Sequence, residues 1–572
     1  MPTVTNEVIT MPEPSNQKPS PSDSSSVGSG RRSPQRASAV ENPAPADMPQ
    51  PETPSTEVFA VYGVEPEIQA YAMAKYSRSS LSMKESLREI SSQKAEKFLN
   101  TFYFQYGHRS IADLAHIALA VERLSILAAI ELADEQRWDG QERSTRYQDF
   151  KKSGYYVPDF GPAGQGNDKA NGEANEARTL YCDTLDFLFA EYQALSAHMT
   201  QHLINITPKP AEMKQEAYER TLKARAFDIT RYLLPLSTNT SLGEIVNART
   251  LETQVAHLLS HTHREVRLLG ESLKKAATSA AYNVNAESLK KLVDDIRAAD
   301  PELGARAEQE LLHEVRVAPT LVKYADPNPY EMETRRELRQ AATELMKSEP
   351  IAPSKAEVDL LDEEPLEVEI ATTLLYEHCH HSYRQVRQAL QVSGERYRRE
   401  IIDLGLRHRG KHDEMLRGFR AGQQFRFDIL MDTGGFRDMH RHRRCIQVMQ
   451  PFTTQHGYEM LLDVEDAGMR LRYDAAMRRV QAAIEKLAAR NAPEAEENSQ
   501  YAIPLAYRKR ALFKMDFAEV VYISELRTTP AGHVSYRNVA YAMYEAVARK
   551  YPALAKYFRV HDVTAPVDLL QR

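Results

Sequence analysis

The segment 231–259, RYLLPLSTNTSLGEIVNARTLETQVAHLL, has a counterpart at 501–527, YAIPLAYRKRALFKMDFAEVVYISELR. Both segments place an aliphatic residue, a proline and a leucine before a helical pattern of similar length. When the two prolines are aligned, the segments run without a gap as far as Leu258 and Arg527. An upstream helix, a polar segment and a downstream helix occur in the same order in both halves, which indicates an internal repeat.

The repeat fits the size of the chain, because 572 residues are too many for one ordinary core. The segment 1–57 is rich in proline and serine and has too little apolar surface to offset ordering entropy, so we predict that it is disordered. We predict the first copy at 58–345, a charged linker at 346–367 and the second copy at 368–572.

Composition narrows the class of protein. The net charge is −7, so any site for anions must be local rather than spread over the chain. Three cysteines are too few for a disulfide framework and indicate a reducing compartment. No apolar run reaches the roughly 18–20 residues of a membrane span, and the N-terminus has no apolar signal region. We therefore expect a cytoplasmic protein with no membrane partner.

The residue patterns predict an α+β, helix-rich fold. The stretch 111–135, IADLAHIALAVERLSILAAIELADE, is rich in alanine and leucine with few helix breakers, so it predicts a helix. Similar helical patterns recur in both halves. The best strand is 425–431, FRFDILM, in the second copy.

A basic cluster in the second half is the first candidate site. Arg441, His442 and Arg443 stand together in MHRHRR, and arginine forks bind phosphate or carboxylate in a bidentate manner. The alternative is a solvated basic turn. Nucleic-acid binding is disfavoured by the acidic net charge and the lack of interleaved aromatic residues. A similar tripeptide at 407–409 shows that the motif alone does not identify the site.

The first half carries a different polar set, in QERSTRY. Glu142, Ser144 and Arg146 alternate along the chain, so in extended backbone they would point to one side. They would then offer an acceptor, a hydroxyl and a cation to one ligand. The alternative is a helix N-cap with a surface salt bridge. Each half thus has what the other lacks.

The stretch 377–381, EHCHH, invites a metal interpretation because histidine and cysteine are zinc ligands. A second pair of such residues at finger-like spacing is missing from the sequence, so we expect no metal site. Cys379 as a nucleophile would need an environment that lowers its pKa, and we do not expect that role either.

Together these motifs resemble the flavin-dependent thymidylate synthases. The family has a signature of the form RHRxxSxxxxSxR after a strand of FTF type, and here Phe425-Arg426-Phe427 precedes Arg441 at the family spacing. This spacing selects Arg441–Arg443 over the tripeptide at 407–409. The segment that ends in SELR puts Arg527 at the position of the family's catalytic arginine.

The resemblance also assigns roles in the first half. QERSTRY matches the tail of the signature, YGHRSIAD resembles the family's GHxTPFEH step, and RYLLPLSTNTSLGEIVNAR matches a later family segment. The residues that the resemblance implies for cofactor binding are Arg441, His442, Arg443, His108, Ser110 and Asn247. Those that it implies for nucleotide binding are Glu142, Ser144, Arg146 and Arg231.

Both halves depart from the family pattern. The first half reads Asp134-Glu135-Gln136 in place of RHR and Leu258 in place of the catalytic arginine. The second half lacks the ExSxR tail and reads Gln500 where the first half has Arg231. Since the family builds its sites between subunits, the complementary losses predict a composite site formed by both halves. A homodimer of this chain would then imitate the family's tetramer.

The resemblance implies two tandem domains like the thymidylate synthase complementing protein, each with a mixed sheet and long helices. The implied reaction is reductive methylation of dUMP to dTMP, with FAD as cofactor and with NADPH and methylenetetrahydrofolate as co-substrates. The chain would then be a FAD-dependent thymidylate synthase. The alternative is a non-catalytic homologue on the same scaffold, which binds FAD or a nucleotide or is purely structural.

Overall fold

The computed structural model describes most of the chain after the N-terminal segment. The described residues are 61, 63–75, 82–89, 109–161, 168–353, 357–411 and 413–570. The segment 1–57, for which we predicted disorder, lies outside them. The chain divides into Met1–Tyr62 and Gly63–Arg572, and both copies of the repeat, apart from residues 58–62 of the predicted first copy, fall in the second unit. The boundaries of the two copies and of the linker stay predictions.

Helices dominate the described residues. In chain order the α-helices are α1 Pro66–Lys75, α2 Met83–Glu89, α3 Ile126–Leu132, α4 Asp168–Ile206, α5 Gln215–Thr230, α6 Ala248–Leu259, α7 Arg264–Thr278, α8 Ala286–Ala299, α9 Pro301–Leu311, α10 Pro329–Met346, α11 Leu366–Tyr376, α12 Tyr383–Leu406, α13 Thr433–Met439, α14 Leu462–Asp466, α15 Arg470–Ala488, α16 Ala495–Gln500, α17 Phe517–Arg527, α18 Val534–Lys550 and α19 Pro552–Ala555. Short 3₁₀ helices occupy Arg109–Leu114, Arg231–Leu233 and Arg417–Phe419.

Two small sheets complete the fold. Their strands are β1 His116–Ser125, β2 Asp139–Glu142, β3 Asn239–Asn247, β4 Val358–Leu360, β5 Phe425–Asp432, β6 Ile446–Met449 and β7 Arg508–Met515. The first sheet has the order β1-β3-β2 and the second the order β4-β5-β7-β6. We expected mixed sheets, whereas every pair among these strands is antiparallel. The helix-rich α+β class and the strand at 425–431 are confirmed.

The internal repeat is visible in the order of the elements. The order β1-β3-β2 of the first sheet recurs as β5-β7-β6 in the second. In both copies the first of these three strands, β1 or β5, leads into a short helix, α3 or α13, and the second, β3 or β7, leads into a longer one, α6 or α17. Strand β4 has no counterpart in the first sheet; it comes from the predicted linker and pairs with β5.

The two proline steps pair with each other at the centre of the unit. Leu236 N donates to Ile503 O at 2.9 Å, and Leu505 N donates to Leu234 O at 2.9 Å. The two bonds are equivalent under the repeat, so a local two-fold axis relates the copies. All four residues are at most 2% exposed and belong to a hydrophobic core that both copies share. If the backbone N–H and C=O groups of the two proline steps were buried without hydrogen-bond partners, the protein would be less stable, so this pairing is required.

A hydroxyl–carboxylate pair occurs in both copies with its members exchanged. Ser125 caps α3 and donates its hydroxyl to Glu265 Oε2 at 2.5 Å. At the equivalent place Asp432 caps α13 and accepts a hydrogen bond from the hydroxyl of Ser535. Each copy therefore keeps one carboxylate and one hydroxyl at this buried junction.

The helix predicted over 111–135 is wrong for residues 116–125, which form β1. Alanine and leucine favour a helix locally, but β1 pairs along its whole length with β3. Propensity is a weak signal where tertiary pairing satisfies the backbone and one face is buried. The register shifts between Glu122 and Leu124, where Arg123 has a positive φ of 61°. Within the predicted stretch, α-helix runs only from Ile126 to Leu132, and residues 111–114 belong to the 3₁₀ helix Arg109–Leu114.

Within the described ranges, no helix is both long and apolar enough to cross a lipid bilayer.

We predict that neither half is stable alone. Residues 59–345 and 366–572, expressed separately, should each expose the apolar surface of the proline step and leave its backbone unpaired. Analytical ultracentrifugation and binding of a hydrophobic dye should report aggregation for each fragment and a compact state for the full chain. If either fragment were a stable monomer with little dye binding, the shared core would not be required.

We also predict that the first copy tolerates the arrangement of the second copy, with the carboxylate at position 125 and the hydroxyl at position 265. Ser125→Asp alone should destabilise the protein by about 1–3 kcal/mol, because it sets a second carboxylate beside the buried Glu265. Adding Glu265→Ser should restore most of that loss, since the first copy would then have the arrangement of the second. Chemical denaturation of the two single variants and the double variant measures the coupling. Additive losses would contradict the proposed equivalence.

Candidate functional site

One cluster of polar side chains joins the two halves of the chain. We call it the interhalf cluster, and its members are Arg146, Asp228, Arg231, Asp438, His442, Arg527 and Tyr536. The first three belong to the first copy and the last four to the second. Four of the seven were predicted as site residues from the sequence, namely Arg146, Arg231, His442 and Arg527.

A buried carboxylate organises the first-half part of the cluster. Asp228 accepts two hydrogen bonds from Arg146, from Nε at 2.9 Å and from Nη2 at 2.8 Å. Arg231 Nε lies 3.5 Å from the same carboxylate. Burial alone would raise the pKa of Asp228, but His533, Arg231 and Arg146 outweigh it and lower that pKa well below its usual value. Asp228 therefore stabilises the fold above about pH 4, the pKa of an unfolded aspartate, and this contribution falls away only in stronger acid.

Arg146 also connects the two copies. Its Nη1 donates to the hydroxyl of Tyr536 at 2.8 Å, and its Nη2 donates to Ala531 O at 3.1 Å. Both acceptors lie in the second copy. The guanidinium of Arg527 lies 5.6 Å from the centre of the Tyr536 ring, at a distance typical of a cation–π contact. Tyr536 thus stands between the signature tail of one half and the catalytic-arginine position of the other.

Arg527 and His442 form a direct pair. Arg527 Nε donates to His442 Nε2 at 2.7 Å, so this ring nitrogen is the acceptor and the proton is on Nδ1. Nδ1 lies 3.6 Å from Glu519 Oε1. Burial is the main reason that the pKa of His442 is lowered, which keeps the ring neutral. The rest of the Arg527 guanidinium makes no hydrogen bond with the residues that the structure describes.

Arg231 is the most deeply buried cation of the cluster. It is 2% exposed and lies 3.6 Å from Asp438 Oδ2 of the second copy. One of its nitrogens donates to Thr145 Oγ1 at 3.3 Å, whereas Nε and Nη2 are buried without a hydrogen-bond partner. Such donors are costly to bury, so they favour an additional acceptor at this place.

The arginines of the basic cluster at 441–443 have different contacts from those of the similar tripeptide at 407–409. Arg443 lies over Trp138 of the first copy, 4.2 Å from the ring centre, and Arg441 is exposed. Neither has a carboxylate within 4 Å among the described side chains. Burial lowers the pKa of Arg443 to about 10. By contrast, Arg407 pairs with Glu337 at 3.2 Å.

The remaining predicted residues take up other contacts. Glu142 accepts a hydrogen bond from Arg437 of the second copy. Ser144 accepts one from the backbone of Arg146 at 3.2 Å. Asn247 caps α6 by accepting from Thr250 N at 2.8 Å.

The YGHRSIAD step contributes little to the described site. Ser110 is exposed on the short 3₁₀ helix Arg109–Leu114. His108 lies outside the described residues.

Sequence reasoning missed the acidic and aromatic partners. Asp228 lies three residues before Arg231, and Asp438 lies three before Arg441, so helical spacing gave a weak signal for both. Tyr536 gave none, because it meets Arg146 across a separation of 390 residues.

The stretch 377–381 has no metal-binding geometry in the described part of the chain, where no group of three or more His, Cys, Asp and Glu residues is placed to hold an ion. Burial raises the pKa of Cys379 to about 11, which makes its thiol a poor nucleophile.

Comparison with known proteins identifies the family. The model of the thymidylate synthase complementing protein family matches residues 61–281 and 362–553. A UPF0159 protein of Chlamydia pneumoniae is 27% identical over 548 residues, which cover 90% of this chain and 93% of that protein. A flavin-dependent thymidylate synthase of Clostridium tetani is 22% identical over 224 residues, which cover 39% of this chain and 82% of that protein.

Among solved structures, the flavin-dependent thymidylate synthase of Helicobacter pylori, complexed with FAD and dUMP, is 18% identical. The match covers 37% of this chain and 89% of that chain, with a TM-score of 0.24. The two segments of the family match together span more than half of the present sequence. The chain therefore belongs to the thymidylate synthase complementing protein family and carries the family's domain twice.

Proposed function

We propose that the interhalf cluster is the active site of a FAD-dependent thymidylate synthase, which methylates dUMP reductively to dTMP. The observation that carries this proposal is the contact of Arg146 with Tyr536, next to the Arg527–His442 pair. It brings the two parts of the divided signature together within one chain. NADPH and methylenetetrahydrofolate would be the co-substrates.

The residues present suit a flavin dinucleotide. Arg441 and Arg443 carry charges without a carboxylate partner in the described structure, and a diphosphate is the kind of anion that guanidinium forks bind. His442 is neutral and sits between them in sequence. When bound, FAD would supply the hydride chemistry of the reaction. Arg441 and Arg443 would hold its phosphates.

The nucleotide would bind on the first-half side. Arg231 has two buried nitrogens without a hydrogen-bond acceptor, which lie 3.5 and 3.6 Å from the carboxylates of Asp228 and Asp438. Its third nitrogen donates to Thr145, which follows Ser144 in the signature tail. A phosphate monoester would satisfy these donors through charge-assisted hydrogen bonds. Glu142 and Arg146 would position this wall, because both are bound to second-half groups.

Arg527 would polarise the pyrimidine ring. His442 takes one of its N–H groups, which fixes the plane of the guanidinium and leaves the other N–H groups to donate. Such preorganised donors stabilise negative charge that develops on a ring oxygen during the reaction. Burial lowers the pKa of Arg527 from its usual value, but an arginine remains protonated at neutral pH.

We also propose that the chain works as a homodimer. Arg441 is exposed, and Tyr522, whose ring contacts His442 edge-on at 5.7 Å between ring centres, is 55% exposed. The cluster therefore reaches the surface of the single chain on its second-half side. A second copy would close it there and make two sites per dimer.

A second candidate is a non-catalytic homologue on this scaffold, which binds FAD or a nucleotide or is structural. This candidate is favoured because residues of the signature tail already bind groups of the protein. Arg146 is bidentate to Asp228, and Glu142 is bound to Arg437. Release of tritium from 5-tritiated dUMP, dependent on NADPH and methylenetetrahydrofolate, separates the two candidates. Flavin binding without release would select the second.

We predict that FAD binding needs Arg441 and Arg443. Replacing both with alanine should weaken binding by at least about 3 kcal/mol, given about 1.5–3 kcal/mol per charged hydrogen bond. The matched control is the double replacement of Arg407 and Arg409, which should change little because Arg407 is already bound to Glu337. Flavin fluorescence titration measures both variants. Equal losses would contradict the choice of motif.

We predict that Arg527→Lys separates catalysis from binding. Lysine keeps the charge but lacks the planar fork that bonds His442. FAD affinity should stay close to wild type, whereas tritium release should fall on the order of a hundredfold or more, the scale for loss of one oxyanion-type donor. An active Arg527→Lys variant would show that this arginine has no special role, even if the chain is an enzyme.

A further inference from the structure

A large cavity lies at the positions that the repeat makes equivalent to the interhalf cluster. Its volume is about 880 Å³. Five residues at equivalent positions line it: Asp134, Glu135 and Gln136 for Arg441, His442 and Arg443, Leu258 for Arg527, and Gln500 for Arg231. We call it the counterpart cavity. Every position that would carry the family signature here has a different side chain.

Two of these different side chains, Asp134 and Glu135, are acidic, and both already contact basic side chains of the protein. Asp134 accepts from Arg417 Nη1 at 2.5 Å and contacts His440 Nε2 at 2.9 Å. Glu135 lies 2.9 Å from His257 Nδ1. Together with Glu331, which lies 2.9 Å from His257 Nε2, Glu135 raises the pKa of His257 to about 10 despite burial, so the ring is a cation at neutral pH. The two carboxylates are thus occupied by protein partners.

Lys509 is a buried cation without such a partner. It lines the counterpart cavity, is 2% exposed, and lies over the ring of Phe452 at 3.5 Å from the ring centre. Its ammonium makes no hydrogen bond or ion pair within the part of the chain that the structure describes. On the same strand, β7, Arg510 pairs with Asp428 at 2.9 Å and Lys514 with Glu369 at 2.9 Å.

An unpaired buried ammonium is costly, and burial lowers the pKa of Lys509 to about 8. Glu131 and Asp134 partly oppose this shift through their negative charge, but neither carboxylate forms an ion pair with the ammonium in the described structure. The charge is explained if an anion enters the cavity. The remaining wall includes apolar groups, among them Leu258 and Met449, and the volume is that of a pocket for a small organic molecule.

We propose that the counterpart cavity is a second ligand site, which takes an organic anion with an aromatic or apolar body whose carboxylate or phosphate meets Lys509. Phe452 and Leu258 would contact the body of the molecule. The site is separate from the interhalf cluster, because it lacks every arginine of the signature. The repeat has then kept one copy of the family site and turned the other to a different ligand.

Two matched probes test the site on the full chain. 1-Naphthoate and 1-naphthyl phosphate share one aromatic body and differ in the anionic group, and 1-naphthalenemethanol is the neutral reference. Isothermal titration calorimetry should give at least tenfold tighter binding for one of the anions than for the alcohol. The anion that binds more tightly identifies the chemical class. If neither anion exceeds the alcohol, the proposal is wrong.

Variants locate the binding. Lys509→Met should remove the preference for the anion, and Lys509→Arg should keep at least part of it. Arg508→Met is the matched control, because it removes a charge from the same strand that pairs with Glu459 instead. Without ligand, Lys509→Met should melt at or above the temperature of the wild type, since it removes an unpaired buried charge.

The outcome also separates the two sites. Replacing Arg441 and Arg443 with alanine should leave the binding of the anionic probe unchanged. If that variant loses the probe while Lys509→Met keeps it, the probe binds at the interhalf cluster and the counterpart cavity is not its site. A Lys509→Met protein with a lower melting temperature and unchanged preference would assign Lys509 a structural role.

Discussion

The arrangement of the site depends on one carboxylate that stays ionised inside the protein. Asp228 fixes both nitrogens of the Arg146 fork, and the same guanidinium then reaches the hydroxyl of Tyr536 and the carbonyl of Ala531. A buried carboxylate is stable only with such compensation, and the arginine is in turn ordered by it. The position of the second half relative to the signature tail therefore follows from a charge pair that belongs wholly to the first half.

This dependence explains how a signature can be divided without being lost. In a symmetric assembly each site would need a full set of residues from every copy. Once two copies are joined and related by a local two-fold axis, one place can keep Arg527 and Arg231 while the other has Leu258 and Gln500. The backbone contacts at the proline steps are unchanged on both sides. The fold thus preserves the scaffold at two places, although only one of them keeps the arginines of the signature.

The sequence predicted the structural features that depend on neighbouring residues and on the repeat. It missed those that depend on contacts between residues far apart in the chain. The repeat and the strand at 425–431 followed from the sequence pattern, whereas the preference for Arg441 over Arg407 came from the family resemblance and stays a prediction. Residues 116–125 were predicted as helix, because the partner that makes them a strand lies more than a hundred positions away in β3. Tyr536 was missed for the same reason. Cavities have no local signal, so Lys509 looked like one basic residue among many.

The pairing of the proline steps has a consequence for synthesis on the ribosome. Leu234 and Leu236 meet partners near position 504, so the first copy leaves the ribosome long before the residues that cover it. At about 5–20 residues per second, this gap lasts on the order of tens of seconds. During that time the buried face of the first copy is open to other nascent chains. Because both copies belong to one chain, they are always made in equal amounts and each first copy has a second copy to pair with. Protection of the first copy by chaperones during synthesis would be an advantage for the cell.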